Sequence, residues 1–423
     1  MTYVRRLFRS VFLSPGSIPT FHQRNFFLLY CDVAFWGILN GTTLTFLSIY
    51  AARQGATGTQ IGLIGAIPAT VVLLLALPTG NWLERKPIHK TVVWTSIASR
   101  FFYLLLVPLP FLFKSDIQAW LIILIVFLMT FPGTTTVIGF QSLFAETVPD
   151  EWRAHVTGIR NAVLSITSTI SIIISGQILT SMQFPSGYLI VFMAGFLGAI
   201  LSSVSLLLIR ISQSRPVIPL IMPDSSIDEN VQKQARKKWL RMDIIRGKFG
   251  IVMLLLFLFH LAQYLPIPVF PLFQVNYLNF SDQYISLGSG VFNMAVFLGS
   301  LQLERISRLL GNKKVVGIGI LCLAFYPGIM SLTQGIGVFL LASVVGGLAW
   351  SMVGGAIYNY ILDYVPVNGS PPYFALYNMA LNAAILIGSM VGPLIAVQIG
   401  FVPALIIFAL GRFLSGAAIL KWG

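Results

Sequence analysis

Three long stretches of the chain contain no Asp, Glu, Lys or Arg: residues 161–209, 315–362 and 364–411. A helix of this length, at about 1.5 Å rise per residue, crosses a hydrocarbon core of about 30 Å twice and leaves a short turn. Each stretch therefore predicts a pair of transmembrane helices. The chain is predicted to work within a lipid bilayer.

Apolar segments separated by charged and turn residues predict twelve helices in two sets of six. The first set covers residues 25–51, 59–82, 91–113, 117–140, 156–181 and 187–210. The second set covers residues 249–275, 283–303, 314–332, 336–360, 373–396 and 401–421. We therefore expect an all-α membrane protein with four parts: an N-terminal segment at 1–24, a first bundle at 25–210, a linker at 211–248 and a second bundle at 249–423.

The composition supports a membrane protein, since 56% of the residues are hydrophobic, 9% are charged and the mean hydropathy is +0.85. These values lie outside the range of soluble domains and argue against a soluble enzyme. The two cysteines, Cys31 and Cys322, lie far apart in apolar segments, so they predict neither a disulfide framework nor a CxxC metal site.

The formal net charge of +14 indicates orientation rather than nucleic-acid binding. Almost all of the 27 Lys and Arg residues fall in the termini, the linker and alternate loops, whereas Arg53 and Lys114 fall on the opposite face. Because cytoplasmic loops carry the excess of positive charge, both termini are predicted to be cytoplasmic in a plasma (inner) membrane. The linker cations suit anionic lipid headgroups, and we expect no nucleic-acid partner.

Two short motifs recur along the chain at nearly one offset. Leu-Glu-Arg follows the second helix at 83–85 and follows the eighth at 303–305, which is 220 residues later. Asn161 and Asn378 each lie twelve positions after a Val-Pro pair and are 217 residues apart. Since each motif occupies the same helix junction in its half, the halves are predicted to be homologous and pseudo-symmetric.

With these features the chain resembles the major facilitator superfamily of secondary transporters from residue 25 to 421. The family's loop signature, G-x-x-x-D-R-x-G-R-[RK], is matched at Gly80, Glu84 and Arg85, and the sequence then departs from it at residues 87–89. The resemblance implies two six-helix bundles around a central cavity, with gating loops. The candidate gating residues are Gly80, Glu84, Arg85, Glu304 and Arg305.

The resemblance also implies what the gating acids contact. An acid at the end of one helix can meet the positive N-terminus of a helix from the other half. Glu84 is thus expected to face the eleventh helix and Glu304 the start of the fifth, and either contact would hold the cytoplasmic side closed. The alternative is that Glu84 and Arg85 pair locally.

Proline and glycine residues within the spans indicate where helices bend or pack closely. Seven prolines lie within or near spans and predict bent helices that can rock, because neighbours must satisfy the backbone groups that proline frees. They are Pro68, Pro78, Pro132, Pro266, Pro268, Pro271 and Pro327. The Gly-Ser-Met-Val-Gly-Pro run at 388–393 resembles the antiporter signature of the same family. It lies in the eleventh helix instead of the fifth, so close helix packing explains it better.

Ionisable residues inside a span are costly and are therefore candidates for function. Asp32 and Arg160 lie at comparable depth in the first and fifth helices, so protonation or a charged substrate could release Arg160 from a pair with Asp32. The alternative is a fixed structural ion pair. Arg100 and Arg412 lie mid-span in helices that are peripheral in the resembled family, so we expect structural anchoring. The alternative is that either reaches inward to a substrate anion or a backbone carbonyl. His260 suits proton coupling or a plain hydrogen bond.

The resembled family lines its cavity mainly with the first, fourth, seventh and tenth helices, with the fifth, eighth and eleventh beside them. Polar and aromatic residues of these helices are the candidate lining. The substrate-cavity candidates are Asp32, Trp36, Asn40, Thr135, Gln141, Arg160, Asn161, Ser165, His260, Gln263, Tyr264, Asn293, Trp350, Tyr358, Asn359, Tyr377, Asn378 and Asn382.

The sequence contains no Gly-rich phosphate loop, Ser/His/Asp arrangement or HExxH motif, so we expect no enzyme activity, no metal, no cofactor and transport driven by gradients. We predict a monomeric carrier that moves a small organic solute by alternating access, either secondary active or facilitative. Efflux and uptake are both open, and so is coupling to protons or another ion. The alternative is a non-transporting membrane sensor or scaffold that keeps the carrier fold.

Overall fold

A computed structural model of the chain describes residues 20–83, 86–210, 247–365 and 371–423. Within these ranges the chain is helical and forms no strand. The described ranges contain twelve long helices, one for each predicted helix, in two six-helix halves. Nearly all of the predicted N-terminal segment and linker lies outside the described residues.

The first half contains helices α1 to α6. Helix α1 runs from Thr20 to Arg53 and includes a π-helical turn at Asn40–Leu44. A short helix, Leu109–Leu112, follows α3. The other helices are α2 (Gly58–Leu83), α3 (Ile88–Leu106), α4 (Ser115–Thr147), α5 (Asp150–Ser181) and α6 (Ser186–Leu207).

The second half contains helices α7 to α12. Helix α7 begins as Lys248–Tyr264, breaks, and resumes as Val269–Leu272 and a π-helical turn at Phe273–Tyr277. A short helix, Leu303–Leu310, bends by 55° from the end of α8. The other helices are α8 (Asp282–Ser300), α9 (Asn312–Ser331), α10 (Ile336–Leu362), α11 (Pro371–Ile399) and α12 (Phe401–Trp422).

Most of these helices have the dimensions of membrane spans. Among the described residues, ten are long and apolar enough to cross a membrane, or eleven if α8 and the helix that bends from it form one span. Helix α3 falls short because its 19 residues include His89, Lys90 and Arg100. Since it nevertheless packs within the bundle against α4 and α6, we count it as the twelfth pass.

The junction between α4 and α5 differs from its prediction. Helix α4 continues past residue 140 to Thr147, and α5 begins at Asp150 instead of residue 156. Helical hydrogen bonding does not stop where the apolar segment stops, so polar turns extend both helices beyond the hydrocarbon region. Pro149 separates them, because its ring cannot continue α4 but is accepted at the start of α5.

The two faces of the molecule are named by what they carry. The terminal face carries the start of α1 and the end of α12, and the distal face carries Arg53 at the end of α1 and Asp282 at the start of α8. Successive helices alternate in direction, so each runs from one face to the other.

The hydrophobic core is continuous between the halves only toward the distal face. There a single cluster of buried side chains includes Tyr50 and Phe192 from the first half and Phe273 and Phe339 from the second. Toward the terminal face the described residues form two further clusters. One belongs entirely to the first half and the other entirely to the second. The halves are therefore joined at the distal face and separate toward the terminal face.

Small residues bring the halves together near the distal face. Helix α2 packs against α11, and α5 packs against α8. A Cβ at Gly62 would overlap the carbonyl oxygen of Ser389, and a Cβ at Gly176 would overlap the side chain of Ser286. Glycine is thus required at both crossings for backbones to approach this closely.

The break in α7 is held by a buried arginine. Pro266 and Pro327 lack an N–H group, so each frees the carbonyl four residues earlier, at Ala262 in α7 and Leu323 in α9. Arg412 of α12 donates from Nε to Ala262 O (3.3 Å) and from Nη1 to Leu323 O (3.3 Å). Its Nη2 donates to Gln263 O at 3.0 Å. Arg412 anchors three helices, in agreement with the anchoring expected for it.

Packing also explains the Gly-Ser-Met-Val-Gly-Pro run of α11. A Cβ at Gly392 would overlap the carbonyl oxygen of Leu265, and a Cβ at Gly388 would lie 3.0 Å from the backbone of Tyr264 and Leu265. Both glycines therefore let α11 lie against the broken part of α7. This contact supports the packing interpretation of the motif over the antiporter interpretation.

Candidate functional site

Helix α5 presents a polar face between the halves. Asn161 is exposed and Ser165, one turn later, is half-buried. Ile170 follows Asn161 by nine residues, which places it about 180° around the helix, and it is 52% exposed. An exposed isoleucine suits lipid, so the polar face turns away from lipid. On one side of this polar face α5 contacts α1 of its own half, and on the other side it contacts α8 of the second half. The polar face therefore lies along the boundary between the halves.

Helix α11 repeats this arrangement in the second half. Asn378 is exposed and Asn382, one turn later, is half-buried. Ile387, nine residues after Asn378, is 42% exposed on the opposite side of the helix. The amides of Asn378 and Asn382 donate to backbone carbonyls of their own helix, at Phe374 O and Asn378 O. Their side-chain oxygens are thus the polar groups available toward the gap between the halves.

Beneath the polar face of α5 lies a buried cluster of charges. Arg160 Nη2 contacts Asp32 Oδ2 at 3.3 Å, and Arg100 Nη2 lies 3.8 Å from Asp32 Oδ1. Ser202 of α6 donates to the same carboxylate. Asp32 is therefore surrounded by groups from α3, α5 and α6, all in the first half. The ion pair between Asp32 and Arg160 joins helices of one half and does not cross the gap.

Arg100 belongs to this cluster, which the sequence did not indicate. Its Nη1 donates to Ser203 Oγ at 2.8 Å, and its guanidinium lies over the ring of Trp36, 5.2 Å from the centroid. The peripheral position of α3 suggested an anchoring role and no link to Asp32. A run of small polar residues in the otherwise apolar α6, Ser202 and Ser203, was the signal that could have revealed this link.

The equivalent position in the second half carries a neutral pair. The offset of 217 that relates Asn161 to Asn378 also relates Arg160 to Tyr377. Tyr377 Oη lies 3.1 Å from His260 Nε2, and both side chains are buried. His260 Nδ1 has no hydrogen-bond partner among the described residues. One half thus holds an ion cluster where the other holds a tyrosine and a histidine.

Aromatic rings surround this neutral pair. His260 lies 6.4 Å from Tyr264, and Tyr358 of α10 lies 5.8 Å from Tyr377, measured between ring centroids. Tyr358 is 49% exposed, whereas Tyr377 is buried. The structure therefore brings four candidates of the second half into one wall contributed by α7, α10 and α11.

The remaining cavity candidates do not form a shared cluster among the described residues. Asn40 donates to Ser168 Oγ at 3.1 Å and so ties α1 to α5, and Gln263 is buried with Oε1 unpartnered among the described residues. Thr135 and Asn293 bond to carbonyls one turn earlier on their own helices. Gln141 and Asn359 are exposed, and Trp350 packs against the core cluster of the second half.

At the distal face an ion pair joins the halves. Arg53, in the last turn of α1, contacts Asp282 Oδ1 through Nη2 at 3.0 Å and through Nε at 3.2 Å. Arg53 also donates to the carbonyl of Phe280. Both charges suit their helix ends, since α1 ends at Arg53 and α8 begins at Asp282. The sequence marked Arg53 as a cation on the unusual face but gave no indication of its partner.

The gating candidates have different outcomes. Glu84 and Arg85 lie outside the described residues, and Gly80 lies in the last turn of α2, where a Cβ would meet no atom within 4 Å. Glu304 pairs with Arg308 one turn later, and both side chains are exposed, as is Arg305. The contact of Glu304 with α5 was expected for a closed terminal face, and it stays a prediction for that arrangement. The spacing of four residues on an exposed helix favours a local pair while the terminal face is open.

Comparison with known proteins agrees with the helical membrane fold. A family model described as Major Facilitator Superfamily matches residues 26–248 and 252–422. None of the curated proteins compared with the sequence matches it. A crystal structure of a D-xylose-proton symporter has a TM-score of 0.71 at 14% identity, covering 95% of this chain and 98% of that one.

Two further solved structures show the same fold. A nucleoside transporter, NupG, has a TM-score of 0.60 at 16% identity, covering 96% of this chain and 99% of its own. A POT family transporter in complex with a thioalcohol-conjugated peptide has a TM-score of 0.68 at 13% identity, covering 94% and 95%. At such identities the likeness shows a shared fold and carries no information on the substrate.

Proposed function

Since the chain belongs to the major facilitator superfamily and is a multi-pass transmembrane solute transporter, we propose that it carries a small organic solute by alternating access. The solute would bind in the gap between the halves, between the asparagine faces of α5 and α11. In the described conformation this gap opens to the terminal face.

One observation carries the proposal: the core joins the halves at the distal face and divides in two toward the terminal face. The ion pair between Arg53 and Asp282 and the close crossings at Gly62 and Gly176 lie on the joined side. A carrier needs two arrangements of the same halves, each closed at one face. The structure has the form expected of one of them.

The charge distribution supports a cytoplasmic terminal face in a plasma (inner) membrane. Among the described residues, most Lys and Arg residues lie at or near helix ends on the terminal face, whereas Arg53 and Lys114 lie on the distal face. By the positive-inside rule, the described conformation would then be the inward-open one. Residues 211–248 would form a cytoplasmic linker between bundles at 25–210 and 249–423.

A disulfide across the distal face tests the proposal. A Cβ at Gly65 of α2 would lie 3.5 Å from Ser389 Cβ of α11, within the range that a disulfide needs. The variant G65C/S389C, with Cys31 and Cys322 replaced by serine, should oxidise readily. Once oxidised it should lose at least about tenfold in flux of a solute that the parent carries in proteoliposomes, and reduction should restore the flux.

The matched control keeps the cysteine in α11 and moves its partner. In G80C/S389C the cysteine of α2 lies fifteen residues nearer the terminal face, a distance of about 22 Å along the helix. This variant should neither cross-link nor respond to oxidation. Full flux through the completely cross-linked G65C/S389C protein would contradict alternating access.

A further inference from the structure

The charge balance of the buried cluster points to the kind of solute carried. Asp32 faces two guanidinium groups, Arg100 and Arg160, so the cluster has a net charge of about +1. The other acids of the described long helices, Asp116, Glu146, Asp150, Glu151 and Asp282, lie within a turn of a helix end. Asp32 is thus the one acid deep within these helices, and one cation of the cluster has no acid of its own.

The two arginines differ in access. The side chain of Arg100 is 7% exposed and enclosed by Ser203 and Trp36, whereas that of Arg160 is 15% exposed. Arg160 lies next in the chain to Asn161, which is exposed on the polar face of α5. The excess charge is therefore accessible through Arg160, from the polar face of α5.

Arg160 has spare hydrogen-bonding capacity. Its Nη1 donates to Leu29 O at 3.1 Å and its Nη2 to Asp32 Oδ2 at 3.3 Å. Of five N–H groups, three have no acceptor among the described residues. The guanidinium carbon lies 4.6 Å from the centroid of Phe140 and 5.9 Å from that of Phe144. These rings attract the cation weakly, but they are not the oxygen acceptors that its N–H groups would find in an oxyanion.

We propose that Arg160 binds a carboxylate of the carried solute and that the solute is a small organic monoanion. This inference rests on the proposed function and names the substrate class of the same site. A planar guanidinium with free N–H groups matches a carboxylate, and one negative charge cancels the excess of the cluster. In the wall of the second half, the exposed Tyr358 and the half-buried Tyr264 supply aromatic groups for the rest of the solute, and they pack against the buried Tyr377 and His260.

Thermal shift of the purified protein tests the proposal without knowledge of the natural solute. The probes are acetate and benzoate in place of chloride at constant ionic strength, with acetamide and benzamide as neutral matches. Benzoate and acetate should raise the melting temperature of the wild-type protein saturably, by about 3 °C for the better probe, and the amides should not.

Variants assign the effect to the site. R160Q should remove the stabilisation by carboxylates, while leaving Arg100 and Asp32 as a neutral pair. R160K keeps the positive charge but lacks the planar guanidinium, so it should retain a smaller shift in melting temperature. K421Q removes the same charge from the exposed end of α12 and should respond like the wild type.

The outcomes separate this inference from the proposed function. Equal shifts in R160Q and wild type, no shift in the wild type, or stabilisation by inorganic phosphate alone would overturn the carboxylate site. If R160Q does not fold, R160K decides the question. A carboxylate shift in R160K as large as that in the wild type would overturn the carboxylate site, because the bidentate geometry of the guanidinium would then be dispensable. Failure of the G65C/S389C cross-link to block flux would instead overturn alternating access, whatever the probes bind.

Discussion

Among single residues, Arg53 and Asp282 lie where they can decide which face is closed. They belong to different halves, and their side chains are 24% and 11% exposed, so water screens the pair only in part. Separating the halves at the distal face must break this pair. Its interaction energy is therefore gained in one arrangement of the carrier and lost in the other.

We expect R53E to destabilise the distal closure by about 1–2 kcal/mol, since it places two acids in contact at the start of α8. The rate at which the G65C/S389C cysteines oxidise measures that closure. It should fall in R53E, by up to roughly fivefold to thirtyfold, and recover in the charge-swapped R53E/D282R. K114E, a change of the same charge at an exposed site on the same face, should leave the rate unchanged. An equal loss in K114E would show that only net charge matters.

The sequence indicated individual charges better than their partners. Asp32 and Arg160 were matched because both lie at similar depth in their spans, and the structure pairs them. Arg53 stood out because it departs from the positive-inside pattern. Its partner Asp282 lies 229 residues further along the chain. Arg100, which joins the cluster of Asp32, lies on a helix that was assumed to be peripheral. Pairing over such separations depends on how helices pack, which the local pattern of residues does not contain.

At the scale of helices, α7, α9 and α12 depend on Arg412. Two of the three carbonyls that it binds are freed by prolines, so the arginine replaces hydrogen bonds that these helices cannot make for themselves. A helix break costs least where such a donor is fixed in place. The break in α7 is therefore stabilised by three helices together.

We expect R412M to lower the stability of the detergent-solubilised protein by more than about 2 kcal/mol, because it leaves buried carbonyls without donors. P327A restores an N–H group for Leu323 O and should recover about 1 kcal/mol of that loss in the R412M background. P132A, which removes a proline from α4 in the other half, should recover none. Additive effects of R412M and P327A in a double-mutant cycle would contradict this coupling.

Helices were predicted well in number and less well at their ends. Long segments without charge define the spans, because only a helix satisfies its own backbone in lipid. The extensions of α4 to Thr147 and of α5 back to Asp150 escaped prediction, since apolarity marks the hydrocarbon boundary and not the last helical hydrogen bond. Pro266 and Pro268 lie at the break in α7, whereas α9 continues through Pro327. Nothing in the sequence connected these prolines to Arg412.

At the scale of the whole molecule, the opening toward the terminal face makes a prediction about access. Asn161 and Asn378 are exposed on the walls of the gap, whereas Ser389 is 3% exposed in the joined region. Single cysteines at these positions, in a background without Cys31 and Cys322, should differ in reaction with a membrane-impermeant maleimide.

N161C and N378C should react at least about tenfold faster when the reagent is added from the terminal face than from the distal face. S389C should react slowly from both, and K114C should show the opposite preference because it lies on the distal face. Vesicles of both orientations provide the measurement. Equal reaction of N161C from the two faces would contradict the closed distal side.

The two-half architecture followed from the repeat, because motifs at one offset imply two copies of one bundle. The conformation did not follow from it. The same residues serve both arrangements of a carrier, so a single sequence encodes the pair of states and favours neither in its pattern. Which face is joined emerges only from the division of the core and from the contact between Arg53 and Asp282.

The site of Arg412 has a consequence for how the protein is made. As the twelfth helix leaves the ribosome it brings a permanent cation into the lipid, and the carbonyls that stabilise this cation belong to α7 and α9. On its own the segment would enter the bilayer at a cost of about 3 kcal/mol for the arginine. We expect it to be retained beside the translocation channel until both earlier helices have inserted, which makes assembly of the second half a concerted final step of biosynthesis.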